Sequence, residues 1–500
     1  MSSLFRKKTL DAILADAEEP EHQMKRTLGP VQLIALGIGA IVGAGIFATI
    51  GTAAAGGGHH DGAGPALVIS ILITAIGCGF CALCYAEFAS LVPIAGSAYT
   101  YSYATLGEFI AWIIGWDLII EYAMGNVAVA VTWSGYFVEL LKGLGVTIPP
   151  WMSTDLTTAL KTPGFMDAAP HLFGIPIVLN IPAAAITLLL TWLLVIGIKE
   201  SARFNTAMVV VKLVILLFFI FVGATYVKPA NWHPFAPNGW TGIGTGAALI
   251  FFAYIGFDAV STAAEECRNP QKDMPVGMIG SLAICTVLYV AASLVLTGMV
   301  PLDSIRGSAE PLAKAFSLIG INWAAGVVAF GAVVATTAVL LVFQYGQARI
   351  FFSMARDGLL PASFAKIHPK YKTPYVNTIW IGVVVAALSA FANLDVFIEL
   401  TNIGTLFAFI LVCIGIMVLR RTDPNRPRAF RTPLVPLTPI LGILICLYLI
   451  IGVPVIENGT LMRSGGLPVA TWIRFVVWLI LGLVIYFAYG FRKSRLARKS

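Results

Sequence analysis

Twelve long apolar segments run through this chain and constrain its fold more than any other feature. They lie at about 31–52, 65–91, 105–141, 175–198, 202–226, 241–264, 276–299, 323–354, 375–393, 397–419, 434–456 and 469–491. A transmembrane helix needs ~20 predominantly apolar residues. In lipid every backbone polar group must be satisfied inside the protein, so such segments form a helical bundle. Charged residues make up only 11% of the chain, against ~25% in a soluble protein. That leaves too little charge to cover a water-soluble body of this size. Segments three and eight exceed what a bilayer requires, so they tilt or project.

Charge placement orients the bundle. Twelve spans entered from the cytoplasm put both termini inside. On that reading 24 of the 32 Lys and Arg residues fall on the inner side, seven on the outer side, and Lys212 within the membrane. This asymmetry is the positive-inside pattern of a plasma-membrane protein. Residues 1–28 are too polar for a cleaved signal peptide and read as a cytoplasmic tail; residues 492–500 read as another. The transmembrane body is 29–491, and the longest outer connection, about 142–174, is too short for a soluble domain. The net charge of +7 sits in short clusters between apolar runs, an orientation signal rather than a nucleic-acid surface.

Several function classes find no support. No glycine precedes a lysine, so the chain has no phosphate-binding P-loop and an ATP-driven pump is disfavoured. Cys78, Cys81 and Cys84 sit three apart in an apolar helix with no fourth ligand nearby, so they read as small buried residues. His59, His60 and Asp61 in "GGGHHDG" read as an exposed polar loop. Ser261 and the loop histidines lie on opposite sides of the membrane, which disfavours an enzyme. No cofactor or metal is expected.

The first segment contains "GIGAIVGAGIF", residues 37–47, with four glycines. Each costs ~1 kcal/mol relative to alanine inside a helix. Small residues let helices pack closely, and Gly39 and Gly43 have the spacing for that. They also let a helix unwind at mid-membrane, where freed N–H groups face a bound anion. In an inverted repeat the break recurs five helices later. Segment six obliges with "FFAYIGFDAVS", where Gly256 precedes Asp258 at membrane depth. A charge there is a functional hypothesis by default. Weak helices at both positions favour the broken-helix reading, with packing as a contributor.

Four motifs then become informative in order: "LGIGAIVGAGIF", "CYAEFASLVPIAGSAYTYSYATLGEFIAWIIGWDLIIEY", "FFAYIGFDAVSTAAEECRNPQKDMP" and "ARIFFSMARDGLLP". Together they closely resemble the amino acid–polyamine–organocation superfamily, in particular the shorter bacterial form of the cationic amino acid transporters. The resemblance spans about 25–490. It implies an all-α membrane protein with twelve transmembrane helices in a five-plus-five inverted repeat (LeuT-like), helices 1 and 6 being broken. Repeat one would cover about 31–226 and repeat two about 241–419, with extra helices at about 434–491.

The resemblance also implies a site. N–H groups around Gly43, Ala44 and Gly45, next to Ile41, would hold an amino acid carboxylate. Carbonyls near Phe252, Ala253 and Ile255 would accept from its ammonium group. Glu121, Gly125, Asp258 and Phe343 would face the side chain, and the bulk of Phe343 would shorten the pocket. Asp117, one turn from Glu121, reads instead as a structural hydrogen-bonding group. Lys212 would couple transport to protons; a snorkelling lysine, or a permanent ammonium that props spans one, five and eight together, are the alternatives. Glu265, Glu266, Arg268 and Asp273 could pair with Lys25, Arg26 or Arg349 as an inner gate. The implied activity is proton-coupled uptake of cationic or small neutral L-amino acids, with a sodium-independent exchanger as the alternative. Implied partners are the amino acid, protons and the lipid bilayer, with no nucleic acid; an accessory subunit is left open.

Overall fold

The structure, a computed structural model, describes Arg6 and residues 28–496 apart from 58–59, 92–96, 163, 174, 197–201, 259, 262–266, 372, 392, 429 and 458. Each apolar segment contains a helix. The first holds α1 (Pro30–Ile41) and α2 (Ile50–Ala55), joined through a π-helical turn at Gly45–Thr49. Then come α3 (Leu67–Leu91), the short connecting α4 (Ser97–Thr105), α5 (Glu108–Gly143), α6 (Leu156–Lys161), α7 (Phe165–Ala168), α8 (Ile181–Ile196) and α9 (Ala202–Ala224). The second half holds α10 (Gly239–Ile250), α11 (Pro270–Met299), α12 (Pro311–Leu318), α13 (Asn322–Arg356), α14 (Tyr375–Phe391), α15 (Leu394–Thr422), α16 (Leu437–Ile451), α17 (Val469–Ile485) and α18 (Phe491–Lys493).

Among the described residues seven helices are long and apolar enough to cross a membrane, and the bent first segment makes an eighth. α8, α14 and α16 are apolar but shorter, at 10–17 residues. Trp192, Phe221, Val287, Trp380 and Val477 are all at least 60% exposed. In water so much exposed apolar surface would be an aggregation hazard, whereas lipid solvates it. The eleventh segment is shorter than its apolar run suggests. Gly452, at φ +77°, ends α16, and "VPVIE" continues as β1 (Val453–Glu457), paired antiparallel with β2 (Thr460–Ser464).

α5 and α13 form the long central pair. A Cβ at Gly346 would lie 2.7 Å from the Tyr122 ring, so glycine lets the two helices close up. The basic cluster at 420–431 does more than orient the chain. Arg420 makes a bidentate pair with buried Glu87 at 2.8 and 2.9 Å, and Arg428 approaches the same carboxylate at 3.1 Å. The Thr432 N–H donates to it as well, at 2.8 Å. Such convergence satisfies a carboxylate that would be prohibitively costly to bury alone. It ties the end of α3 to the end of α15.

Candidate functional site at the paired helix breaks

Both expected breaks are present, and they touch. α1 stops at Ile41, and the chain turns by 46° before continuing. The Val42 N–H still reaches the Ile38 carbonyl at 2.8 Å, but among the described residues the N–H groups of Gly43 and Ala44 enter no backbone hydrogen bond. Those are the donors that a helix start leaves for an anion. In segment six the helix does not run to 264. α10 ends at Ile250 and tightens into a 3₁₀ turn at Phe251–Tyr254. Ile255 is then extended and Gly256 takes φ +119°.

Glycine is required at the meeting point. A Cβ at Gly45 would lie 2.3 Å from the Ala253 Cα, and one at Gly256 would lie 2.7 Å from the Ala40 carbonyl oxygen. The two backbones thus approach where side chains have no room. Gly43 likewise faces Val339 of α13, and Gly39 faces Val209 of α9.

Polar groups from other helices hold the breaks. The Tyr289 hydroxyl on α11 is 3.0 Å from both the Ile41 and the Ala253 carbonyls, so one proton serves two acceptors, one in each break. Asn402 on α15 donates to the carbonyls of Ala248 (2.8 Å) and Leu249 (3.3 Å), which the end of α10 leaves open. The Tyr136 hydroxyl donates to Phe47 at 2.5 Å. The Lys212 ammonium donates to the Gly39 carbonyl at 2.8 Å, one turn before the first break, and the residue is 2% exposed. A head group so placed is not snorkelling.

The remaining expected residues divide into two groups. Ile41, Ala44, Phe252, Ala253, Ile255 and Asp258 are all buried at or beside the breaks. Phe343 instead packs on Gly125, whose Cβ would lie 2.7 Å from its ring, and sits 5.5 Å from the Tyr122 ring centroid. Gly125 therefore makes room for Phe343. Val339, one turn earlier on α13, touches Gly43, so Phe343 shares a helix face with a residue at the break. Glu121 is buried with Oε2 unpartnered, and Asp258 lies within its electrostatic reach.

Asp117 departs from its expected role. It is fully buried, and among the described residues neither carboxylate oxygen has a hydrogen-bond partner. Gly404 of α15 lies beside it, 3.1 Å from Oδ1 to the position of a Cβ. His60 also departs from the exposed loop: both ring nitrogens are buried and, among the described residues, have no hydrogen-bond partner. Of the inner-gate residues, Lys25, Arg26, Glu265 and Glu266 lie outside the described residues, as does His59. Arg268 uses its backbone N–H to bond Leu28 at 2.9 Å, Cys267 reaches Asp273 at 3.9 Å, and Arg349 stacks on Tyr345. All seven cysteines are free and buried; Cys81 lies 3.7 Å from Cys446 and 3.9 Å from Cys413. Among the described residues, no group of three or more His, Cys, Asp or Glu is arranged to hold a metal.

Tyr289 and Asn402 carry no charge and leave only a faint trace in sequence. A lone amide in an apolar segment was a usable signal for Asn402; a tyrosine among apolar residues was not.

Residues 28–488 match the family described as amino acid permease. The chain belongs to the amino acid permease family. It is 48% identical to the branched-chain amino acid permease BcaP of Bacillus subtilis (strain 168), over 99% of each chain. It is 46% identical to the methylthioribose transporter of the same organism, over 100% of each. It is also 38% identical to the vacuolar cationic amino acid transporter 4 of Arabidopsis thaliana, over 85% of this chain and 68% of that one. These relatives are named as permeases or transporters, in keeping with a multi-pass membrane protein that moves amino acids.

Proposed function

We propose that this permease is a secondary active transporter working by alternating access, with twelve spans, both termini cytoplasmic and two five-helix inverted repeats. The observation that carries this reading is the contact between the breaks, Gly45 against Ala253, pinned by the Tyr289 hydroxyl. Backbone N–H groups on one side of that contact and carbonyls on the other complement the carboxylate and ammonium groups shared by every amino acid. The field at a helix start favours the carboxylate by ~0.3–1 kcal/mol or more when partly buried.

Phe343, closed over Gly125, favours small and branched neutral amino acids over arginine or lysine, in line with the branched-chain specificity named for the Bacillus subtilis relative. A second reading follows from the other Bacillus relative: a neutral thioether sugar as cargo. Lys212 is the proposed coupling residue. Releasing its proton would weaken its bond to Gly39 and so loosen the first break. Without such titration the same lysine props the break, and the protein is an exchanger.

Purified protein in liposomes separates these. Uptake of labelled leucine, alanine, arginine and methylthioribose is measured with and without an inward proton gradient, beside Lys212→Ala. Gradient-stimulated leucine or alanine uptake that loses its stimulation in the variant supports the proposal. Uptake that requires internal amino acid and ignores the gradient makes the protein an exchanger.

A further inference from the structure

A polar cavity of about 250 Å³ opens on the face that this topology places outside. Asp61 and Arg463 are exposed at its rim, and His60, Glu399, Ala248 and Leu249 line it further in. Glu399 is 5% exposed, lines the cavity, and its Oε2 accepts from the Thr471 hydroxyl at 2.6 Å. Arg463 spends one guanidinium nitrogen on the Leu467 carbonyl at 3.2 Å. Among the described residues Arg463 and Glu399 form no ion pair with one another, so the cavity offers a guanidinium at its rim and a separate carboxyl group further in.

The floor of this cavity leads to the breaks. Asn402, which holds the Ala248 and Leu249 carbonyls, lies three residues beyond Glu399 on the same face of α15. The 3₁₀ turn at Phe251–Tyr254 begins two residues after Leu249. The cavity therefore reaches the last turn of α10, whose carbonyls Asn402 holds, a few residues short of Ala253.

We propose that this cavity is a second binding site, taking a zwitterionic amino acid before it reaches the breaks, with Arg463 holding its carboxylate and Glu399 its ammonium group. The inference rests on the transporter reading above. A simple cation would have no use for Arg463, whereas an amino acid has an acidic and a basic end for the guanidinium and the carboxyl group. Burial pushes the His60 imidazole below its ordinary value, against the pull of the nearby Asp395 carboxylate. A neutral imidazole offers one donor and one acceptor to a ligand. The space suits a small molecule, being below the ~300–1,000 Å³ of drug-sized sites.

The test is equilibrium binding of labelled leucine to the full chain in lipid nanodiscs, with uptake measured in parallel. The wild type is expected to bind two leucines per chain, one tightly and one weakly. Arg463→Gln and Glu399→Gln should each weaken the weak site at least tenfold and keep the tight one, which also shows that both variants are folded. Gly45→Val should lose the tight site and keep the weak one. One leucine per chain in the wild type, with affinity and uptake KM unchanged in both rim-to-floor variants, overturns the second site and leaves the transporter standing. No binding and no uptake of any amino acid by the wild type overturns the transporter reading itself, and this inference with it.

Discussion

The two helix breaks solve one problem in different ways. The first keeps helical geometry almost throughout: α1, three residues, a π turn and then α2, within a 46° bend. The second gives helix up. α10 tightens to a 3₁₀ turn, Ile255 extends, and Gly256 enters positive φ. Their support differs accordingly. The first break keeps its donors open and rests on close contact with Ala253, Val339 and Val209. The second leaves carbonyls behind, and side chains from α11 and α15 collect them. A helix start can present donors to a ligand; a helix end buried in a membrane must find donors in the protein. The lesson is that the first break leaves its donors open, whereas the scaffold already takes up part of the carbonyls that the second break frees.

Substitutions can break or sharpen this contrast. The largest effect is expected at Gly45, where both breaks meet. Gly45→Val drives a side chain into Ala253, an overpacking of ~1–3 kcal/mol or more, and should abolish measurable tight leucine binding in a scintillation assay. Normal affinity would mean that the breaks do not form the site. Asn402→Leu attacks only the second break. It orphans two carbonyls at ~1–3 kcal/mol each, so thermal unfolding in detergent should shift down clearly, with stability suffering more than affinity. An equal loss of both would erase the proposed division between ligand and scaffold.

Tyr289→Phe removes the shared proton while keeping the ring. A loss of ~0.5–1.5 kcal/mol predicts a change of several-fold in leucine affinity, together with faster hydrogen exchange at residues 41–45 than at 251–255. Exchange unchanged from the wild type in either segment would show that the tyrosine does not couple them. The smallest effect on overall rate is expected from Phe343→Ser. Leucine uptake should change little while arginine becomes a competitor, and unchanged selectivity would place Phe343 off the pocket.

The positions of the breaks were legible in the sequence because their chemistry is expensive in a membrane. Four glycines in one apolar segment, a glycine beside an aspartate in another and a lysine in a third each carry an unfavourable local cost that only function or special packing offsets. The residues that satisfy the breaks were far less legible. Tyr289 sits 248 residues from Ile41, and Asn402 lies 154 from Ala248. Neither breaks a local rule in its own helix. Asp117 shows the reverse failure: its spacing from Glu121 is plain, yet only the packing of α5 against α15 shows that, among the described residues, no hydrogen-bond partner reaches it.

By itself, then, the amino-acid order determined that this chain enters lipid, which segments become helices and where two of them fail, because backbone satisfaction and charge burial act locally and strongly. Tertiary structure decided that the two failures meet, that one tyrosine spans them, that Phe343 lies on Gly125 and that Glu399 and Arg463 share a cavity without pairing. Those outcomes depend on contacts between residues tens to hundreds of positions apart, and pattern within a single helix carries no record of them.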